Sequence, residues 1–184
     1  MPIPSAVALD TCSLIYAFDN TDPADEFYGA GRRVVAFLDK QAEAEIPVII
    51  PPQVLAEFLV KRTETERQAI VDEFSASYVV EPFGITAAIE FARIRAEKGD
   101  FKSALAKHPE GRQAITVDAI IAASALSAGA KLIVTSNDRD FKTLTGGRLK
   151  VQSIEDLPDP IPPAPAPASP SLFDSIGDEP QDSA

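Results

Sequence analysis

The chain reads as an α/β protein built on a mostly parallel sheet. Two observations predict it. Short apolar runs rich in β-branched residues ("AVAL", "IPVIIP", "KLIVT") alternate with longer stretches of helical spacing. The clearest unit, "ITVDAIIAASALSAGAKLIVTS", passes from an Ala/Ile-rich helix through a glycine into a strand. With 184 residues and 45% hydrophobic content, the chain is long enough for one domain with a substantial core.

The elements follow in order. Ala6–Leu9 is a first strand, and residues 11–18 form a short helix. Ala30–Glu45 has the composition of a longer helix. Ile46–Pro51 is a buried strand bounded by prolines, and helices follow at Pro52–Arg62 and Glu64–Ser75. Ser77–Phe83 reads as another short strand, and Thr86 as the N-cap of a helix to about Lys98. Gly99–Gln113 is polar and has no single reading. Thr116 caps a helix over Val117–Ala128, which Gly129 ends. Lys131–Thr135 is a strand, and Arg148–Ile154 is a last one.

Composition changes after Leu157. The segment "PDPIPPAPAPASP" (Pro158–Pro170) holds 7 of the 16 prolines and reads as an extended spacer, with a reach of roughly 40 Å at about 3.1 Å per residue. The end, "SLFDSIGDEPQDSA", is acidic and carries a small apolar patch, Leu172, Phe173 and Ile176. The organisation is therefore a domain over residues 1–157 and a proline-rich, acidic tail over 158–184.

No apolar run reaches the roughly 18 residues needed to cross a membrane. Met1–Ser5 lack a basic region ahead of a long apolar segment, so a cytoplasmic protein is expected. The single Cys12 excludes an intrachain disulfide and a cysteine-rich zinc site. The net charge of -11 is unlike that of a protein that coats nucleic acid. It is unevenly spread: all 17 bases lie at or before Lys150, and with 23 acids up to Leu157 the domain carries -6, leaving room for a basic face.

In parallel sheets, ligands bind beyond the carboxyl ends of the strands. Asp10 ends the first strand, and Glu57 lies on the helix after "PVII". Asp118 falls in the first turn after Thr116, and Asp138 and Asp140 follow "LIVT". Each has an ordinary explanation. Asp10 suits a helix cap, Glu57 and Lys61 a surface i,i+4 pair, Asp118 a helix N-terminus, and "SNDRD" a loop. Together they converge on one sheet edge, where like charges repel unless a cation lies between them. Carboxylates are ligands of Mg²⁺ and Mn²⁺. The one histidine, His108, rules out an imidazole pair, whereas phosphodiester hydrolysis by metal-activated water needs only acids and a metal.

The blocks "LDTCSLIYAF", "VLAEFL" and "ITVDAIIAASALSAGAKLIVTSNDRDF" resemble a PIN domain, over roughly Ala6 to Ile154. That family is a metal-dependent nuclease fold whose bacterial members include the VapC-type toxins of toxin–antitoxin pairs. The resemblance implies a three-layer fold with a mostly parallel sheet between helices, and a Mg²⁺- or Mn²⁺-dependent ribonuclease. It matches Asp10, Glu57 and Asp118 to the first three metal-binding acids. For the fourth, Asp140 ranks before Asp138, because Asn137 stands where many members carry an acid. Thr11, Ser13, Thr135 and Asn137 become polar supports, while Cys12 fills a variable place and reads as a small packing residue. An RNA substrate, an antitoxin partner and a homodimer are implied. The alternative is a PIN-fold RNA- or protein-binding module that has lost catalysis. Candidate cations for substrate are Arg32 and Arg33; Lys61, Arg62 and Arg67; and a group from Arg93 and Arg95 through Lys98, Lys102 and Lys107 to Arg112.

Overall fold

The computed structural model describes residues 6–19, 22–96 and 112–160. The expectations for Met1–Ser5, for Lys98, Lys102, Lys107 and His108, for most of Gly99–Gln113, and for the tail beyond Pro160 lie outside these residues.

Four strands form one sheet in the order β2-β1-β3-β4, all parallel: β1 (Ala6–Leu9), β2 (Val48–Ile49), β3 (Ala130–Thr135) and β4 (Lys150–Ser153). The helices among the described residues are α1 (Thr11–Phe18), α2 (Tyr28–Glu43), α3 (Pro52–Leu59), α4 (Glu64–Ser77), α5 (Ile85–Ala96), α6 (Arg112–Ser127) and α7 (Asp138–Thr145). The α/β class and the parallel sheet predicted from sequence are therefore present.

The strand order locates the site. From β1 the chain crosses to β2 on one side, whereas from β3 it crosses to β4 on the other. Parallel crossovers are right-handed, so the helices after β1 and those after β3 depart to opposite faces. The carboxyl ends of β1 and β3 thus flank a crevice at the point where the order reverses. Both strands are buried: Ala8, Leu9, Ile133 and Val134 are fully enclosed, together with Leu14 of α1 and Phe141 of α7.

The boundaries differ from expectation in five places. Ser77–Phe83 is not a strand: Tyr78 caps α4, only Val79 bridges to Ile49, and Pro82, with no N–H to donate, stands in the run. Thr86 is not a cap, because α5 begins at Ile85, with Gly84 accepting from the Ala88 N–H. Thr116 is not a cap either: α6 starts at Arg112, which puts Asp118 in its second turn. "NDRDF" opens a helix, α7, that its polar first turn concealed. The strand at Ile46–Pro51 shrinks to Val48–Ile49, since Pro47 and Pro51 cannot donate to a ladder.

The cap of α4 is explicit. The Thr63 hydroxyl accepts from the Glu66 N–H, and the Glu66 carboxylate accepts from the Thr63 N–H at 2.7 Å. After α6, Gly129 takes φ +83°, where a Cβ would meet no neighbouring atom within 4 Å. Substitution there would cost backbone strain alone. Gly129→Ala is expected to lower stability by about 1–2 kcal/mol in denaturant titration with unchanged slope. Gly29→Ala, in open space inside α2, is expected to be neutral or to raise stability by up to about 0.5 kcal/mol.

Candidate functional site

The site is built around Asp10. Where strand β1 ends, the Asp10 N–H still donates to the Val134 carbonyl at 3.1 Å, and its carboxylate then caps α1 by accepting from the Thr11 N–H at 2.7 Å. The cap expected of an aspartate here is real, but it uses only Oδ1. Oδ2 accepts from the Thr135 hydroxyl at 2.8 Å and lies 3.3 Å from the Cys12 thiol. Asp10 is 7% exposed. Burial raises its pKa, and the Thr135, Cys12 and Thr11 donors oppose that rise.

Thr135, fully buried at the end of β3, joins two parts of the site. Its hydroxyl donates to Asp10 and accepts from the Asn137 N–H at 2.9 Å. The Asn137 side chain then donates through Nδ2 to Asp118 at 3.0 Å and to Asp140 at 3.2 Å. With carboxylates on both sides, only the NH₂ end of the amide can face them. Asp140 is buried in the first turn of α7. Asp138 turns the other way, onto Lys142 at 2.5 Å, and that lysine lowers its pKa.

Glu57 is exposed on α3 and accepts from the Thr11 hydroxyl at 2.5 Å. The i,i+4 pair with Lys61 is not among the ion pairs of the described residues. Glu57 nonetheless belongs electrostatically to the site, because its charge raises the pKa of both Asp10 and Asp118. Asp118 shows the effect most clearly. Burial, then the charges of Asp10, Asp140 and Glu57, push its carboxyl up to about 7 against the Asn137 amide. Ser13 supports the site from below: its fully buried hydroxyl donates to the Val134 carbonyl at 2.8 Å and ties α1 to β3.

Cys12 does more than pack. Its sulfur accepts from the Ser136 N–H at 3.1 Å while facing Asp10, and burial followed by the Asp10 charge pushes its thiol up to about 11. No sequence signal marked Ser136, since its contribution is a backbone N–H.

The donor set fits a hard divalent cation: four carboxylates share one neighbourhood, and the charges of their neighbours help raise the pKa of Asp10 and Asp118. Among the described residues, no three His, Cys, Asp or Glu side chains already stand as a metal cage. The Asn137 amide lies on Asp118 and Asp140, and Glu57 is turned to Thr11.

Most candidate substrate cations are engaged with the chain itself. Arg33 pairs with Asp159, Arg62 with Asp19, Arg67 with Glu64 and Arg93 with Glu90. Arg32 lies over Tyr28 and Arg95 over Phe91.

Comparison with known proteins agrees with this architecture. A chain of the DNA-bound VapBC crystal structure from Salmonella typhimurium superposes with a TM-score of 0.56 at 22% identity, covering 82% of this chain and 98% of its own. A chain of VapBC2 from Rickettsia felis, bound to a DNA fragment from the promoter, gives 0.53 at 20%, covering 80% and 98%. These likenesses show a shared fold. No curated protein matches the sequence. The PIN-domain family model matches residues 7–146, a span that contains Asp10, Glu57, Asp118 and Asp140, and the chain belongs to the PIN-domain family.

Proposed function

We propose that this protein is a Mg²⁺- or Mn²⁺-dependent endoribonuclease of the PIN family, the toxin of a toxin–antitoxin pair acting in the cytoplasm. The observation that carries the proposal is the acid cluster: Asp118 is pushed up to about 7 by burial and by three carboxylates, Asp10, Asp140 and Glu57. Such a cluster is costly to keep ionised unless a cation neutralises it. In this reading the catalytic unit spans residues 1–157, with 158–184 as its appendage. Asp10, Asp118 and Asp140, helped by Glu57, hold the ion; Asp140 ranks ahead of Asp138, whose charge goes to Lys142.

When bound, the ion would polarise the scissile phosphodiester and activate the attacking water. The protein's own residues fix the donors. Thr135 holds Asp10 Oδ2, and the Thr11 N–H holds Oδ1. The Thr11 hydroxyl orients Glu57, and Asn137 aligns Asp118 with Asp140. No helix of the described residues is long and apolar enough to cross a membrane. An antitoxin partner and a homodimer are proposed from the likeness to the VapBC structures.

A second reading, a binding module without catalysis, draws on Asn137. Its amide already links Asp118 and Asp140 and so gives those acids a partner other than a cation. Calorimetry separates the readings: Mn²⁺ binding that disappears in Asp118→Asn supports the enzyme, and tight RNA binding with no Mn²⁺ affinity supports the module.

Purified protein with Mn²⁺ is expected to cleave single-stranded RNA. Asp10→Asn, Asp118→Asn and Asp140→Asn should lose at least about 100-fold, while Asp138→Asn retains activity and Thr135→Val loses about 10- to 100-fold. Wild-type rates in Asp10→Asn and Asp118→Asn would end the nuclease assignment.

The pH dependence of stability has a definite sign. The folded-state pKa of Asp118 is raised above its unfolded value, so the folded state binds the extra proton between about pH 4 and 7. In metal-free protein the Asp118 contribution is therefore complete below about pH 4 and lost as pH rises through 7. Asp118→Asn is expected to raise the melting temperature at pH 8 and change it little at pH 4, as read by thermal melts in chelator. Added Mn²⁺ should stabilise the wild type more at pH 8 than at pH 5.5.

A further inference from the structure

One face of α2 carries an apolar groove of about 280 Å³. It runs between Ala17 of α1 and Tyr28, Arg32, Val35, Ala36 and Asp39 of α2. Val35 is 41% exposed, although it lies one residue from fully buried Val34. The groove is at the small end of what a small molecule needs, and it already has one wall from elsewhere in the chain: Pro160. The preceding residue, Asp159, accepts from Arg33 Nε on the same helix at 2.7 Å. The chain thus reaches this face by an ion pair and then a proline.

We infer that this groove is the seat of the start of the protein's own proline-rich segment, residues 161–165, laid intramolecularly along α2. Three further features select this occupant. The first is continuity: Ile161 follows directly on a residue that lines the groove, so docking needs almost no loop closure. The second is chemistry. "IPPAP" is uncharged and largely apolar, and its prolines have no N–H groups to leave unpaired, which suits a lining with few polar partners. Proline-rich segments seat in aromatic-lined grooves as preformed extended helices with little entropy left to lose, and Tyr28, with Arg32 stacked 5.9 Å from its ring centroid, supplies the aromatic wall. The third is charge. Beyond the prolines come Asp174, Asp178, Glu179 and Asp182 and no base, while α2 presents Arg32 and Arg33. The exposed Arg33–Asp159 pair marks where the segment starts; such a pair holds little energy, so the apolar contacts must supply the docking. The inference is independent of the nuclease reading, since none of its residues belongs to the acid site.

Methyl NMR on the full-length protein tests it. A nitroxide is attached at Ala164→Cys, with one label per chain verified by mass. The methyl signals of Ala17, Val35 and Ala36 are expected to lose most of their intensity, while Ile85 and Ile89 of α5 keep theirs. Val35→Asp, a change at an already exposed position, should restore Ala17 and Ala36, and Val35→Ile should not. The inference is overturned by uniform weak loss across all methyls, or by an effect that Val35→Asp leaves unchanged. It is also overturned if nitroxide-bearing chains broaden the groove signals of unlabelled chains mixed with them, because the occupant would then be a second copy.

Discussion

A carboxylate kept out of water at the end of a parallel strand is the constraint on which the rest of this structure depends. Asp10 sits where β1 stops, flanked by β3, and every donor around it comes from a different structural need. The Thr11 N–H is an orphan of the first turn of α1, the Thr135 hydroxyl ends β3, and the Cys12 thiol rides on α1. A buried carboxylate needs such donors, and only a sheet whose neighbouring strands end together can bring them from residues 125 positions apart. Ser13, bonded to the Val134 carbonyl, holds the same junction from the helix side.

That junction recruits the other acids. The strand order reverses between β1 and β3, so the helices leave to opposite faces and leave a crevice between them. α6 packs into the core through fully enclosed alanines at 119, 122, 123 and 125, and small side chains allow a helix to pack close. Asp118 lies beside that seam. α7 begins immediately after β3 and delivers Asp140 inward and Asp138 outward, two residues apart on a helix and hence on different faces. Which of these two acids faces inward is not legible in "NDRDF" as a string, because it depends on whether the segment is helix or loop.

What was legible in the sequence follows the same division. Ala6–Leu9 and "KLIVT" were readable because fully buried strands leave uninterrupted apolar runs, and Asp10 was readable because it interrupts one. Cys12 reads in the sequence as a packing residue, since a thiol's contact with a carboxylate leaves no trace in spacing. Ser77–Phe83 misled because Tyr78 and Val79 have strand-like chemistry but serve as a helix cap and a single bridge. Thr116 misled because a threonine before an apolar run looks like a cap whether the helix starts there or four residues earlier. Glu57 was legible from its place on the helix after "PVII", beyond a strand end, and the family resemblance matched it to a metal-binding acid. Its physical tie is the Thr11 hydroxyl, 46 residues away.

Charge accounting connects the site to the surface. A chain of net charge -11 does not attract a polyanion at long range, and Arg33, Arg62, Arg67, Arg93 and Arg148 are paired with its own acids. Arg93 and Arg148 both bind Glu90, so two cations are spent on one carboxylate. An enzyme of this composition acting on RNA would have to draw attraction for phosphate from inside the crevice, where carboxylates gather positive charge instead of supplying it. The Asn137 amide offsets part of that negative charge. It gives Asp118 and Asp140 a shared partner with a partial positive charge, enough to hold the two acids side by side but too weak to bring the Asp118 carboxyl back to its ordinary range. The residual excess of negative charge marks the crevice as a candidate cation site, and the amide keeps its acids aligned without discharging them.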